Sequence, residues 1–183
     1  IGGREQVGRG WTMLMECLST GRGVSLPALG AGAGKFCSRL TGAYARVRRQ
    51  FRLPIGYFEG IEEPLARIGA RAYMMDAARV LTLSGLDAGE KPGVVSAMLK
   101  HHNTEGFREV VNDAMDIHGG RGICDGPNNY LAIPYRSVPV AITVEGANIL
   151  TRSLMVFGQG AMRCHPYLID EILAAQDDDA RRG

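Results

Sequence analysis

Among the 183 residues of this sequence, Glu145 is the residue best placed to do chemistry. It lies among the apolar residues Ile142, Val144 and Ile149, and Gly146 follows it. A carboxylate in apolar surroundings is a stronger base because its charged form is disfavoured, and a glycine beside it lets another group approach the backbone closely. The alternative is that Glu145 only caps the first turn of a helix beginning near Gly146, where the helix dipole favours an acid.

Three separated motifs set Glu145 in a wider pattern. At 136–147, Arg-Ser is followed by seven residues and then by Glu-Gly-Ala. The chain reads Asp-Ile-His-Gly-Gly-Arg-Gly at 116–122 and Tyr-x-x-x-Arg-x-x-Phe from 44 to 51. Taken from the N-terminus onwards, they resemble three motifs of acyl-CoA dehydrogenases, which are Tyr-x-x-x-Arg-x-x-Phe-Gly, Gln-x-x-Gly-Gly-x-Gly and Arg-Asp-x7-Glu-Gly-Thr. The resemblance covers nearly the whole chain, so it is more specific than any one motif.

The chain most resembles the large proteobacterial, FadE-like fatty-acyl-CoA dehydrogenases. It shares with them Glu-Gly-Ala-Asn-Ile-Leu-Thr-Arg at 145–152 and Gly-Gln-Gly-Ala-Met-Arg-Cys-His-Pro-Tyr at 158–167. It departs from the family motifs at four positions, where Ser137 replaces Asp, Ala147 replaces Thr, Asp116 replaces Gln and Arg52 replaces Gly.

For the complete enzyme, the resemblance implies oxidation of a fatty acyl-CoA to the trans-2-enoyl-CoA in β-oxidation. FAD would accept the hydride, and an electron-transfer flavoprotein or similar acceptor would take the electrons onward. Glu145 would remove the proton next to the thioester, with Gly146 in the substrate site. Some relatives carry the base on an early helix, before the Arg of Glu-Arg. Here Gly21 precedes Arg22, so that base is absent, and Arg22 becomes a candidate partner of coenzyme A.

The resemblance also assigns FAD-binding residues. Arg48 would reach the flavin pyrophosphate of a neighbouring subunit, which implies a homo-oligomer. A guanidinium group suits this role because its N–H groups can form paired hydrogen bonds with phosphate oxygens. Phe51 would pack near the same cofactor. Gly119 and Gly120 would let it approach, while Asp116, in place of the family's amide, could repel a pyrophosphate.

Composition excludes several classes of protein. The chain is 45% hydrophobic and 22% charged, and its net charge of +2 gives no strong indication of nucleic-acid binding. Its four cysteines are scattered without a Cys-x-x-Cys pair, so free thiols and no metal site are expected. No uncharged run is long enough for a transmembrane helix. We expect a bacterial cytoplasmic protein, with peripheral attachment to the inner membrane left open.

The spacing of apolar residues predicts an all-α fold, an antiparallel four-helix bundle with extra short helices. Residues 21–23 should separate the first two helices, with Pro27 tolerated only within the first turn of the second. Residues 138–144 alternate like a strand, so an extended segment should position Glu145. Helices are expected at 8–19, 24–49, from 61 to the polar break at 84–92, 94–118, 146–162 and 166–175.

This architecture agrees with the C-terminal helical domain of the resembled family. Residues 1–176 would form that domain and 177–183 a disordered tail. The family's N-terminal helical and middle β-domains are absent from this chain, so the fragment on its own is expected to be inactive. Alternatives left open are an acyl-CoA oxidase-like or nitroalkane-oxidising flavoenzyme, a non-catalytic assembly module, and a DNA-binding relative suggested by the arginine cluster at 46–52.

Overall fold

The structure, a computed structural model, describes residues 2–176. Three long helices dominate it: α1 at Gly10–Val47, α2 at Glu59–Asp87 and α3 at Gly93–His118. Helix α1 packs against both α2 and α3, and α2 also packs against α3. The predicted all-α class is therefore confirmed. The tail expected at 177–183 lies outside the described residues.

Helix α1 runs without a break through residues 21–27, so the predicted separation into two helices is wrong. Close packing against α3 explains the difference. A Cβ on Gly23 would lie 3.1 Å from the Cβ of Ser96, and one on Gly30 would overlap the carbonyl oxygen of Asn103. This contact offsets the weak helix propensity of the glycines, which costs about 1 kcal/mol per residue relative to alanine.

Asn103 links all three long helices. Its buried Nδ2 donates to the carbonyl oxygens of Pro27 in α1 and Met75 in α2, both at 3.1 Å. Pro27 lies well inside α1, where its ring removes one intrahelical hydrogen bond. The close packing of α1 against α2 and α3 keeps the helix continuous there.

The hydrophobic core lies mainly between these helices. Its central members from α3 are Phe107, Val110, Val111 and Ala114, which occupy the i, i+3, i+4 and i+7 positions of one helical face. The other buried apolar side chains in the core are Leu26, Ala31, Cys37, Ala45, Ile55, Ile68, Met75, Ile117, Leu131, Val138 and Ala141.

A two-stranded antiparallel hairpin connects α1 to α2. Its strands are β1 at Arg49–Gln50 and β2 at Leu53–Pro54, followed by a 3-10 helix at Ile55–Tyr57. Both residues at its tip, Phe51 and Arg52, have positive φ angles, of 49° and 71°. This is the backbone of a tight hairpin turn that matches the twist of the strands.

The fourth arm of the bundle is broken. It consists of α5 at Ala132–Thr143 and a second helix that begins at Asn148, and both pack against α3. The predicted extended segment at 138–144 is therefore wrong, because Val138 and Ala141 are buried three residues apart on a helical face. The remaining short elements are a 3-10 helix at Arg4–Gln6, α4 at Gly120–Ile123, α6 at Asn148–Leu150, a π-helical segment at Thr151–Gly158, α7 at Gln159–Cys164 and α8 at Leu168–Gln176.

Within residues 2–176, no single helix combines the length and apolar composition needed to cross a bilayer. The pair Ala132–Thr143 and Asn148–Cys164 meets those criteria only when taken together, and it is bent by 45°.

Candidate active site

The turn at 144–147 breaks the fourth arm and carries Glu145. Helix α5 ends at Thr143 and α6 begins at Asn148, two residues after the start predicted near Gly146. Glu145 has a φ of 54° and Gly146 one of 88°. Positive φ is uncommon for a residue with a side chain and costs free energy, so it persists where the surrounding structure imposes it. Backbone strain of this kind is often found at functional sites.

Arg22 meets this turn from α1. It is buried, with 8% exposure, and its Nε donates to the carbonyl oxygen of Glu145 at 2.9 Å. Two residues singled out in the sequence, 123 positions apart, are thus in direct contact. Nη1 of Arg22 and Oε2 of Glu145 are both buried and find no hydrogen-bond partner in the described part of the chain. Arg22 therefore keeps one unused hydrogen-bond donor beside the turn, and Glu145 keeps one unused acceptor.

Gly146 also lies in this site. Its φ of 88° favours glycine, and a Cβ there would lie 3.2 Å from Oγ1 of Thr151 and 3.8 Å from Nη2 of Arg22. Thr151 donates from that hydroxyl to the carbonyl oxygen of Gly146 at 3.1 Å. A side chain at Gly146 would strain the backbone and crowd these polar groups.

Sequence reasoning missed Lys100, whose side chain is fully buried beneath the turn. Its Nζ donates to the carbonyl oxygens of Ile142 and Gly146, at 3.2 and 2.9 Å, and to Oδ1 of Asn148 at 2.6 Å. Burial, and next the charge of Arg22, lower the pKa of Lys100, while Glu145 and Glu105 act in the opposite direction. A signal was present, because Ala97, Lys100, Thr104 and Phe107 share helical spacing with the buried face of α3.

Asn148 completes the polar cluster. Its Nδ2 donates to Oγ1 of Thr104 at 2.9 Å and to Oε1 of Glu105 at 2.8 Å. Its Oδ1 faces Lys100, which can only donate, so the orientation of the amide is fixed. Asn148 thereby fastens the first residue of α6 to α3.

A second region lies where α1 and α3 end. A cleft of about 840 Å³ is lined by four of the five residues assigned to FAD, namely Arg48, Asp116, Gly119 and Gly120. Phe51, the fifth, does not line this cleft. It lies at the hairpin tip, 88% exposed, with its ring edge-on to Phe58 at a centroid distance of 6.2 Å.

His118 is buried beside this cleft between two tyrosines. Its Nδ1 must donate to the carbonyl oxygen of Ala114 at 2.8 Å, because a carbonyl only accepts. Its Nε2 then accepts from the hydroxyl of Tyr130 at 2.7 Å, and its ring stacks on Tyr44 at 4.0 Å. Burial is the main cause that lowers the pKa of His118, and the charge of Arg121 acts in the same direction.

The cleft is suited to an anionic group. Arg48 and Arg121 place two positive charges in it against the single carboxylate of Asp116, which is exposed to solvent. A Cβ on Gly119 or Gly120 would meet no atom within 4 Å, so space is open beside the backbone of both. A pyrophosphate fits this combination of arginines and accessible backbone.

The cleft and the Glu145 turn are separate places in the molecule. His118 and Lys100 lie 18 positions apart on α3, which corresponds to about 27 Å along the helix axis. The residues predicted to bind FAD and those predicted to act on substrate thus form two groups.

This fold, with its Glu-Gly turn and its Gly-Gly cleft, defines a class of protein. The family model of the acyl-CoA dehydrogenase C-terminal domain matches residues 8–156, and the chain belongs to this family. The resemblance inferred from the motifs is therefore confirmed.

Individual relatives agree with this assignment. A 3-(aryl)acrylate reductase of Clostridium sporogenes is 34% identical over 148 residues, which are 78% of this chain and 37% of the relative. A probable acyl-CoA dehydrogenase, FadE10, of Mycobacterium bovis is 29% identical over 148 residues, 80% of this chain and 22% of the relative. The butyryl-CoA dehydrogenase structure from Megasphaera elsdenii aligns with a TM-score of 0.73 and 26% identity, over 85% of this chain and 39% of that one. The chain thus spans well under half the length of each.

Proposed function

We propose that this chain is the C-terminal helical domain of an FAD-dependent enzyme that oxidises fatty acyl-CoA to trans-2-enoyl-CoA. The N-terminal helical and middle β-domains would be supplied by the rest of such an enzyme. The observation that carries the proposal is the left-handed turn that holds Glu145 beside the buried Arg22.

Glu145 is the proposed base. Its buried Oε2, which has no partner within residues 2–176, is free to accept the proton from the carbon next to the thioester. The backbone N–H of Glu145 also donates to no group in the described chain, so it can polarise the thioester carbonyl. One such donor contributes roughly 3 kcal/mol to catalysis in a dry site. Nη1 of Arg22 remains for an acceptor atom of the coenzyme A ester, and Gly146 leaves the approach open.

Arg48, Gly119 and Gly120, together with Arg121, are the residues that would hold the pyrophosphate of FAD in the cleft. Bound FAD supplies the acceptor for the hydride that leaves the second carbon. Asp116 is exposed, so solvent screens its repulsion of a phosphate. Phe51, at the exposed hairpin tip, would contact a part of the cofactor that lies outside this domain. Separation of the cleft from the Glu145 turn supports a homo-oligomer in which the cleft serves a neighbouring subunit's flavin.

The remaining parts of the proposal follow from the same assignment. The reduced enzyme would pass its electrons to an electron-transfer flavoprotein or similar acceptor. The enzyme would work in the cytoplasm of a bacterium.

The proposal is tested by Glu145→Gln in the complete enzyme. Removing the carboxylate should abolish bleaching of the flavin by acyl-CoA, while FAD content and acyl-CoA binding stay at the wild-type level. Glu16→Gln is the matched control, because Glu16 lines the neighbouring cleft that contains Arg22. Unchanged bleaching in Glu145→Gln, or its loss in Glu16→Gln instead, would sink the assignment.

One observation favours a second candidate, the reverse reaction. The Clostridium sporogenes relative is an acrylate reductase. In that direction Glu145, protonated, would return a proton to the carbon next to the carbonyl. Steady-state rates with acyl-CoA plus an electron acceptor, set against enoyl-CoA plus a reduced donor, distinguish the two. Faster turnover in the first assay is expected, and turnover in the second alone would establish the reductase.

A further inference from the structure

Burial of the Lys100 side chain costs free energy. A fully buried ammonium group loses its hydration, and the loss is offset only when its hydrogen-bond partners are well placed. An ammonium has three N–H donors, and Nζ has three acceptors between 2.6 and 3.2 Å. A neutral amine has two donors and would leave one acceptor facing a lone pair. The geometry therefore fits the charged form of Lys100.

The three acceptors of Lys100 lie within the turn at 144–147 or on either side of it. Ile142 lies in the last turn of α5, Gly146 directly follows Glu145, and Asn148 is the first residue of α6. One side chain on α3 thus joins the two halves of the broken fourth arm. Asn148 also donates to Thr104 of α3, and Thr151 donates to the carbonyl oxygen of Gly146.

Lys100 and Arg22 together fix two successive peptide groups. Arg22 binds the carbonyl oxygen of Glu145, and Lys100 binds that of Gly146. Both peptide bonds are trans, so the N–H groups of Gly146 and Ala147 point away from these carbonyls and the buried cations. Neither N–H has a partner in the described structure. Rotation of either peptide group would break a bond to a buried cation, so the left-handed conformation of Glu145 is held from both sides.

We propose that Lys100 is a positioning residue, whose ammonium group clamps residues 142–148 and so keeps Glu145 in its left-handed conformation. The clamp itself depends only on the fold. Its kinetic consequence rests on the proposed function, in which Glu145 is the base.

Lys100→Met tests the clamp in this chain, because methionine fills similar space without a donor. The measurement is the ¹⁵N order parameter of the Glu145, Gly146 and Ala147 amides. Wild-type values near 0.85 should fall below about 0.6. Asn103→Ala is the matched control: Asn103 is buried on the same helix and binds α1 and α2 but not the turn, so its variant should keep the wild-type order. Unchanged order in Lys100→Met, or equal loosening in Asn103→Ala, would overturn the proposal.

Two further measurements complete the test. If Lys100→Met does not fold, Lys100→Gln takes its place, because its shorter amide cannot reach all three acceptors and should also loosen the turn. In the complete enzyme, Lys100→Met should lower kcat by about 10- to 100-fold and leave KM within about twofold. An unchanged kcat would contradict the positioning role. Failure of Glu145→Gln to affect flavin bleaching would remove the proposed function, while the order parameters would still decide the clamp.

Discussion

At the scale of single residues, the chain buries several ionisable groups, each held in one state by its neighbours. Lys100 is surrounded by acceptors and fits the charged form, whereas His118 is neutral because one ring nitrogen donates and the other accepts. Burial acts on both, since it disfavours a charge wherever solvent is excluded. Such groups make the stability of the fold depend on pH.

His118 gives a pH prediction. Its pKa in the folded chain lies below its ordinary value of 6.5, so the unfolded chain binds more protons as the pH falls through that value. The stability contributed by neutral His118 is complete above pH 6.5 and is lost towards the lower, folded pKa. Urea unfolding between about pH 7.5 and pH 5 should show a falling free energy of unfolding, less steep in His118→Gln.

His101 adds to the same trend, because burial and then the charge of His102 lower its pKa. The quantity to compare is therefore the slope of the free energy of unfolding against pH, measured in wild type and in His118→Gln. Equal slopes in wild type and His118→Gln would contradict the prediction.

At the scale of elements, packing against α3 decides what α1 and α5 become. Residues 21–34 of α1 are rich in glycine, and α5 contains Pro139 in its interior, yet both segments are helical. Helix α1 packs against α3 through its glycines, and α5 packs against α3 through its buried residues. Tertiary contact therefore overrides intrinsic propensity in both segments.

Substitution of two glycines of α1 tests the effects of helix packing and of helix propensity on stability separately. A Cβ on Gly30 would overlap the backbone of Asn103, so Gly30→Ala should destabilise the chain by about 1–3 kcal/mol. Gly32 is exposed with no atom within 4 Å of its Cβ position, so Gly32→Ala should stabilise by up to about 1 kcal/mol. Urea denaturation of both variants measures the difference. Stabilisation of both would show that α1 and α3 do not pack as described.

At the scale of the whole molecule, local periodicity predicted most of the helices. Helix α3 was expected at 94–118 and is found at Gly93–His118, because its apolar residues repeat every three or four positions. Helix α5 was missed, since Val138, Val140 and Val144 alternate along the sequence. Only Val138 of the three is buried, and its burial against α3 is not visible in local sequence.

The site was predictable to the extent that it depends on motifs. Glu145 and Arg22 were singled out from their neighbours in sequence, and the structure brings them into contact. Lys100 was not, because a lysine next to two histidines is typical of a solvated surface. Its bonds to residues 42, 46 and 48 positions away arise only when α3 crosses the broken arm.

The joining of the turn to α1 and α3 has a consequence for cooperativity. Most active-site loops open locally, with a free-energy cost well below that of global unfolding. Here the loop is tied through Arg22 and Lys100 to the two helices that form most of the core, so it has no independent melting of its own. Heat should therefore disorder the turn and unfold the bundle in a single transition.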